Sequence, residues 1–298
     1  MNIGKSITNN LFGHPEKLTN AHLVYFKVLE FFVAWKTIEY AWYWGLYTLK
    51  INDVVLPLGF ANIVDISFMH NGYTPLINAS LITIVVILSF FRIGFKWQYL
   101  LVMFLLHVQY VARFSIGEIP HSANLPGMAL FSFAMGTLFF STKESKYRFI
   151  IGITVFYIGF GYFSASMSKL IGTGINWVDG RHLWLWIAEK GTDILSREGE
   201  FQYTIVQEIA LKSIPAATAM LVVGILSEFF GIFMWFRKAR PFVTIALVGM
   251  HFGVTMSMNI RFDDFMMLLI LIGFPWPEWY NTYNYKIRSL LSPDKLAI

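Results

Sequence analysis

Residues Tyr157–Arg181 read YIGFGYFSASMSKLIGTGINWVDGR. The stretch opens as an apolar, aromatic helix, thins to small residues (Ser164, Ala165, Ser166, Ser168) and then presents a single lysine, Lys169. Gly172 and Gly174 break the helix, and Trp177-Val-Asp-Gly180 follows. Lys169 has two readings at such a place. It snorkels, its stem in lipid and its ammonium at the surface. Alternatively, burial beside a flexible turn frees it of its proton and it acts as a base.

Composition sets the environment. The 298 residues are 56% hydrophobic and only 14% charged, where soluble domains carry about 25% charged residues. Mean hydropathy is +0.56. An integral membrane protein follows. Phe is abundant, and most Trp fall near the ends of apolar runs, as an aromatic belt requires. The chain has no Cys, which excludes structural disulfides, thiolate nucleophiles and Cys-ligated metals. The net charge of +5 does not imply nucleic acid, because the basic residues lie between apolar runs. The first twenty residues are polar and lack a cleavable signal pattern, so the first span is expected to serve as an uncleaved insertion signal.

Working outward, hydropathy marks eight spans, seven if the short last one does not cross. The first runs from Ala21 to Thr48 and carries Lys27/Glu30 and Lys36/Glu39, two opposite-charge pairs at i,i+3. Residues 51–73 read as a loop. The second span is Thr74–Phe91. The third runs from Lys96 to Ser115 with His107 and Arg113, and the fourth from His121 to Phe140. The fifth, Phe149–Leu170, contains the opening stretch. A hydrophilic insert, 171–212, has an apolar middle at Leu183–Ala188 that reads as an amphipathic surface piece. The sixth span is Ile214–Phe236 with one acid, Glu228. The seventh, Pro241–Ile260, holds His251 between Gly249 and Gly253, a GxxxG pattern that permits close helix contact. The eighth, Phe265–Phe274, is short for a bilayer core of about 30 Å.

Lys and Arg then fix the orientation. They cluster before span one, between two and three, four and five, six and seven, and after span eight. The expected fold is an all-α polytopic membrane bundle, a single domain over 1–298, with both termini cytoplasmic. Lys169, His121 and the insert share the outer face. Lys169, His121 and His251 can line one pocket there, the lysine as base and a histidine as donor to an anionic oxygen. His121 reads equally as a turn residue beside Pro120, and His251 as a hydrogen-bonded core histidine. Glu228 is an intramembrane acid, functional by default, or a helix-to-helix bond, or a partner of His251. His107 and Arg113 read as packing and snorkelling residues. The scattered histidines give no metal-ligand spacing, and no nucleotide-binding or GxSxG motif occurs.

At these residues the chain resembles a known family. Tyr162-Phe163-Ser-Ala-Ser-Met-Ser-Lys169-Leu170 with Trp177-Val-Asp179-Gly180 is similar to the Tyr-Phe…Lys-Leu…Trp-x-(Asp/Glu)-Gly segment of vitamin K-dependent γ-glutamyl carboxylases and their bacterial relatives. These share the horizontally transferred transmembrane (HTTM) domain. His121-Ser122 resembles the family's His-Ser opening of the next span. Glu228, the basic turn to Pro241 and Gly249-Met-His251 resemble its acid, basic loop and (Phe/Met)-His helix. The resemblance covers about 120–275.

The resemblance implies a carbon–carbon lyase-class reaction driven by a reduced vitamin K-type quinone, O2 and CO2. Lys169 would deprotonate the hydroquinone. Oxygen addition would yield an alkoxide able to take a γ-proton from a peptide glutamate, CO2 would trap the carbanion, and the quinone would leave as an epoxide. His121 would stabilise an anionic intermediate. His251, Glu228, Tyr162, Trp177, Asp179 and Arg113 would support the site or bind substrate or cofactor. Removing so weak an acid's proton needs a dry site, which a lipid-level pocket supplies. The partners implied are membrane lipid and a secreted or membrane-associated peptide, in a bacterial inner membrane with the site facing outward.

Eukaryotic members carry a large lumenal domain that grips a propeptide, and nothing of that size follows the last span here. Short bacterial members include the SdpB group, associated with export and maturation of secreted peptides. A non-enzymatic membrane partner for such a peptide is therefore the alternative. A transporter or lipid-binding protein fits less well as the chain's function, because the spans lack paired Gly/Pro-broken helices in two matching halves.

Overall fold

A computed structural model describes residues 3–51, 56, 59–117 and 124–290. Among the described residues there are twelve α-helices and no strand: α1 (Ile3–Phe12), α2 (Asn20–Lys50), α3 (Thr74–Phe90), α4 (Gln98–Phe114), α5 (Asn124–Phe139), α6 (Lys143–Thr173), α7 (Gly180–Glu198), α8 (Ile205–Lys212), α9 (Ile214–Phe229), α10 (Arg240–Met258), α11 (Asp263–Gly273) and α12 (Trp276–Leu290). Each apolar segment expected from hydropathy lies on a helix, α2 to α6 and α9 to α11. Three helical stretches, Lys143–Val178, Ile214–Trp235 and Arg240–Met258, are long and apolar enough to cross a membrane. Their outward faces are apolar too: Val223, Phe242, Ile245 and Phe252 are exposed, as on helices whose solvent is lipid. The chain is an all-α membrane protein.

The helices gather into two compact units. One comprises residues 1–11 and 155–274, the other 12–154 and 275–298.

In the second unit α2, α3, α4 and α5 pack side by side. Leu29 and Trp44 of α2, Ala79, Ile82 and Val86 of α3, Val102 and Leu106 of α4, and Leu130 and Phe133 of α5 are buried. The Lys27–Glu30 and Lys36–Glu39 pairs both form, at 2.9 and 2.8 Å. Asn78 donates to Gln109 Oε1 (2.7 Å) and to the Leu105 carbonyl (3.0 Å), which supplies partners where no water competes. Residues 51–73, read as a loop, include two short 3₁₀ turns, Gly59–Asn62 and Ser67–His70. Beyond α11 the chain forms α12, whose Asn281 amide donates to Thr19 Oγ1 at 3.0 Å.

The first unit is built on α9 and α10. Ser213 caps α9 by accepting from the Ala216 N–H (3.3 Å), and Pro215 sits in the first turn, where its missing N–H costs nothing. The insert folds into α7 and α8. Leu183, Ile187, Gly191 and Ile194 recur at helical spacing and form the buried face of α7. That face packs on Ala210 of α8 and on Ala217 and Leu221 of α9. A capping box, Thr204 with Gln207, starts α8. The same two side chains donate to the Met256 and Ser257 carbonyls (2.6 and 3.1 Å), fastening α8 to the end of α10.

Close helix contact is made by glycines, but not by the pair expected. A Cβ added at Gly249 or Gly253 would meet nothing within 4 Å, so the GxxxG stripe of α10 is open. The tight points are isolated. A Cβ at Gly180 would come within 2.5 Å of the Ile214 carbonyl, one at Gly231 within 2.6 Å of Tyr162 Cβ, and one at Gly273 into Thr244. Sequence periodicity finds a small-residue stripe but not whether another helix lies across it.

These two kinds of glycine predict opposite outcomes. Gly180→Ala forces α7 off α9 and should destabilise the protein by about 1–3 kcal/mol. Gly249→Ala, in open space mid-helix, should be neutral or stabilising by up to about 1 kcal/mol. Thermal unfolding of both variants in detergent checks the pair; equal melting temperatures would refute the packing assignment.

Candidate functional site

Helix α6 sets the site. Tyr162 and Lys169 are seven residues apart, two helical turns, and so share one face. Ser166 lies between them, fully buried, with its hydroxyl turned back to the Phe163 carbonyl (2.8 Å). The residues facing them come from α9 and α10. Lys169 Nζ donates to both oxygens of Glu228, at 2.6 Å each. The ammonium also lies 4.9 Å from the centre of the Trp177 ring. Two turns deeper, the Tyr162 hydroxyl and His251 Nε2 are 2.5 Å apart.

Five of the residues singled out in the sequence, Tyr162, Lys169, Trp177, Glu228 and His251, therefore lie in one cluster. Glu228 pairs with Lys169 and not with His251; His251 pairs with Tyr162. The lysine is consequently not a lone ammonium. Its side chain is 31% exposed and that of Glu228 12%, so the pair sits at the edge of the packed interior. His251 is fully enclosed. Its ring lies 4.6 Å from that of Phe262 and 6.2 Å from Phe265. Its other nitrogen, Nδ1, is buried without a hydrogen-bond partner among the described residues.

Trp177 and Asp179 divide the loop end between them. The Trp177 ring covers the ammonium and packs on Trp186 of α7 (5.6 Å). Asp179 points away and caps α7. It accepts from the Arg181 backbone N–H and Nε (3.0 Å each) and from Nη2 (2.5 Å). The Arg181 side chain and then its backbone N–H hold the Asp179 carboxyl at about 2, below the ordinary carboxylate value. The acid in Trp-x-Asp-Gly thus starts a helix, and the glycine after it lets that helix touch α9.

Of the other expected site residues, Asp179 belongs to the helix cap and not to this cluster. His121 lies outside the described residues. Arg113 belongs to the other unit, where its guanidinium sits 3.7 Å from the Tyr47 ring centre and donates to the Gly117 carbonyl (3.2 Å). Sequence reading passed over Phe262 and Phe265, the walls of His251; no motif marks them.

The residue types present, an amine held by a carboxylate, an imidazole nitrogen without a hydrogen-bond partner among the described residues and the aromatic rings of Trp177, Phe262 and Phe265, are those a hydroquinone would engage. Among the described residues no three His, Asp or Glu side chains converge as metal ligands. Comparison with protein-family models, with curated proteins and with solved structures gives no match.

The ion pair predicts a coupling. Glu228→Gln leaves the ammonium without its counter-charge, and Lys169→Met leaves the carboxylate; each should cost about 1–3 kcal/mol at this half-buried site. Lys169→Met with Glu228→Gln removes both charges and should cost less than the two single changes together. A double-mutant cycle on thermal stability reads this directly, and strict additivity would contradict the pair.

Proposed function

We propose that the chain is an eight-span membrane bundle with cytoplasmic termini. In this reading it is an enzyme of the γ-carboxylase-like, HTTM type that uses a reduced vitamin K-type quinone to modify glutamate in a peptide at the outer face. The observation that carries the reading is the bidentate Lys169–Glu228 pair beside the Tyr162–His251 pair, on the residues that resemble the family's motifs.

The residues divide the work as follows. For Lys169 to act as a base, its ammonium must first give up a proton, and Glu228 at 2.6 Å is positioned to take it. The transfer converts an ion pair into a neutral amine and a carboxylic acid. Exclusion of water favours that form, because low-dielectric surroundings penalise two charges more than none. The amine can then accept a phenolic proton within hydrogen-bond reach. When bound, the reduced quinone would supply, with O2, the base strength needed for a glutamate γ-proton. Tyr162 holds the His251 ring by Nε2 and leaves Nδ1 without a hydrogen-bond partner among the described residues. Trp177 covers one side of the ammonium, and the Lys169 side chain stays 31% exposed.

The test uses membranes containing the full chain, with reduced phylloquinone, O2, labelled bicarbonate and a short glutamate-containing peptide. Epoxide formation and label incorporation are both measured. Lys169→Ala should lower both by at least about 100-fold while the protein stays folded. Retained turnover in that variant would sink the assignment.

The same pair favours a second reading. Two 2.6 Å contacts fasten α6 to α9, which a non-enzymatic partner in maturation or export of a secreted peptide would also need. Epoxide absent from the native protein, together with a co-purified peptide of unchanged mass, would select it.

A further inference from the structure

A second acid-centred cluster lies in the unit built on α2 to α5, and its charges do not balance. Glu30 of α2 is 1% exposed. Its carboxylate accepts from Arg92 Nη1 (2.5 Å) and Nη2 (3.1 Å), from Lys27 Nζ (2.9 Å) and from the Tyr99 hydroxyl. Two cations therefore meet one anion, and the set carries a net positive charge. The charge faces outward, since the side chains of Lys27 and Arg92 are each nearly half exposed.

Hydrogen-bonding capacity is also left over. Lys27 spends one N–H on Glu30 and one on the Phe90 carbonyl (2.8 Å), and an ammonium has three. Arg92 spends three N–H on Glu30 and the Ser89 carbonyl, and a guanidinium has five.

An apolar groove starts at this spot. It has a volume of ≈ 440 Å³ and is lined by Leu23, Val24, Lys27, Val28, Phe31 and Phe90. That is within the range of about 300–1,000 Å³ that holds apolar ligands. Lys27 is its one charged wall, and lies 4.4 Å from the Phe90 ring centre. The loop beside it reads Phe91-Arg-Ile-Gly-Phe-Lys-Trp97, with Phe95 stacked on Trp97 at 3.9 Å and both exposed. Interleaved basic and aromatic residues mark the headgroup level of a bilayer.

From this arrangement, which rests on the eight-span reading but not on any catalytic role, we infer that the groove binds one anionic phospholipid. The phosphate sits on Lys27 and Arg92, and an acyl chain lies along Val24, Val28 and Phe31. Charge complementarity selects the occupant: a zwitterionic lipid offers the same phosphate but brings its own cation, so the surplus positive charge of the site is neutralised only by a lipid of net negative charge. Glu30 does not weaken the site. It fixes both cations at one place, so little side-chain freedom is lost when a phosphate arrives.

Native mass spectrometry of the full chain in detergent tests this, with phosphatidylglycerol and phosphatidylcholine of identical acyl chains as probes. One phosphatidylglycerol should be retained in preference to phosphatidylcholine. Lys27→Gln leaves Arg92 and Tyr99 on Glu30 and should lower phosphatidylglycerol occupancy about fivefold, the effect of one cation near a membrane surface. Val28→Trp fills an exposed part of the groove, needs no change in the core, and should lower it as well. Equal retention of the two lipids, or unchanged phosphatidylglycerol binding in either folded variant, overturns the inference. Displacement by free glycerol phosphate also overturns it, since the acyl chain would then be no part of the site. None of these readouts uses turnover, so a failed quinone assay leaves them intact. A chain that stays dispersed without detergent would instead overturn the membrane arrangement itself.

Discussion

A charge placed among apolar helices has to be matched by protein, because no water is there to match it. Moving a carboxylate out of water costs several kcal/mol even after relaxation. Each compact unit meets this constraint with an acid that accepts on both oxygens. Among the described residues Glu30 gathers Arg92, Lys27 and Tyr99, and Glu228 gathers Lys169 alone. The difference has chemical weight. At Glu30 the anion is over-satisfied and cannot release its partners without stranding itself. At Glu228 one proton decides between two charges and none, which is the property a proton-transfer site needs. Structural pairing and, in the proposed reading, acid–base chemistry thus come from the same constraint, separated by the number of cations around the acid.

Much of the helical framework was legible in the sequence, for a physical reason. A run of apolar residues bounded by Lys, Arg, Gly or Pro has few alternatives to a helix in a bilayer, since every backbone group must be satisfied within the segment. The middle of the insert stood out as an apolar stretch with two Trp, Leu183–Ala188, while the buried face at Leu183, Ile187, Gly191 and Ile194 is shown by the fold. What local pattern could not supply was partnership. Glu30 and Arg92 are 62 residues apart, and Lys169 and Glu228 are 59 apart. No periodicity connects such positions. The Gly249/Gly253 stripe shows the converse error, a local pattern with no partner across it. Helix α12, rich in Tyr and Asn, is too polar on average to stand out in a reading led by hydropathy, although its apolar residues recur at helical spacing.

The candidate site was legible residue by residue and not as a site. Lys169, Glu228, Tyr162, Trp177 and His251 each stood out as a polar or aromatic group in an unusual place. Only the fold shows that two pairs form, and which pairs they are. Asp179 stood out for the same reason and proves to be a helix cap. Its type and position serve the backbone N–H groups of α7, so its neighbour Gly180, and not its charge, connects it to the cluster through α9.

The shortness of α11 bears on what surrounds His251. Eleven helical residues extend about 16 Å, roughly half the thickness of a hydrocarbon core. The helix begins with Asp263 and Asp264, flanked by the Phe262 and Phe265 rings that enclose the histidine. The most polar turn of α11 and the aromatic cover of His251 are therefore one segment of chain. A change of charge at Asp263 or Asp264 would reach the histidine through the two rings that pack on it.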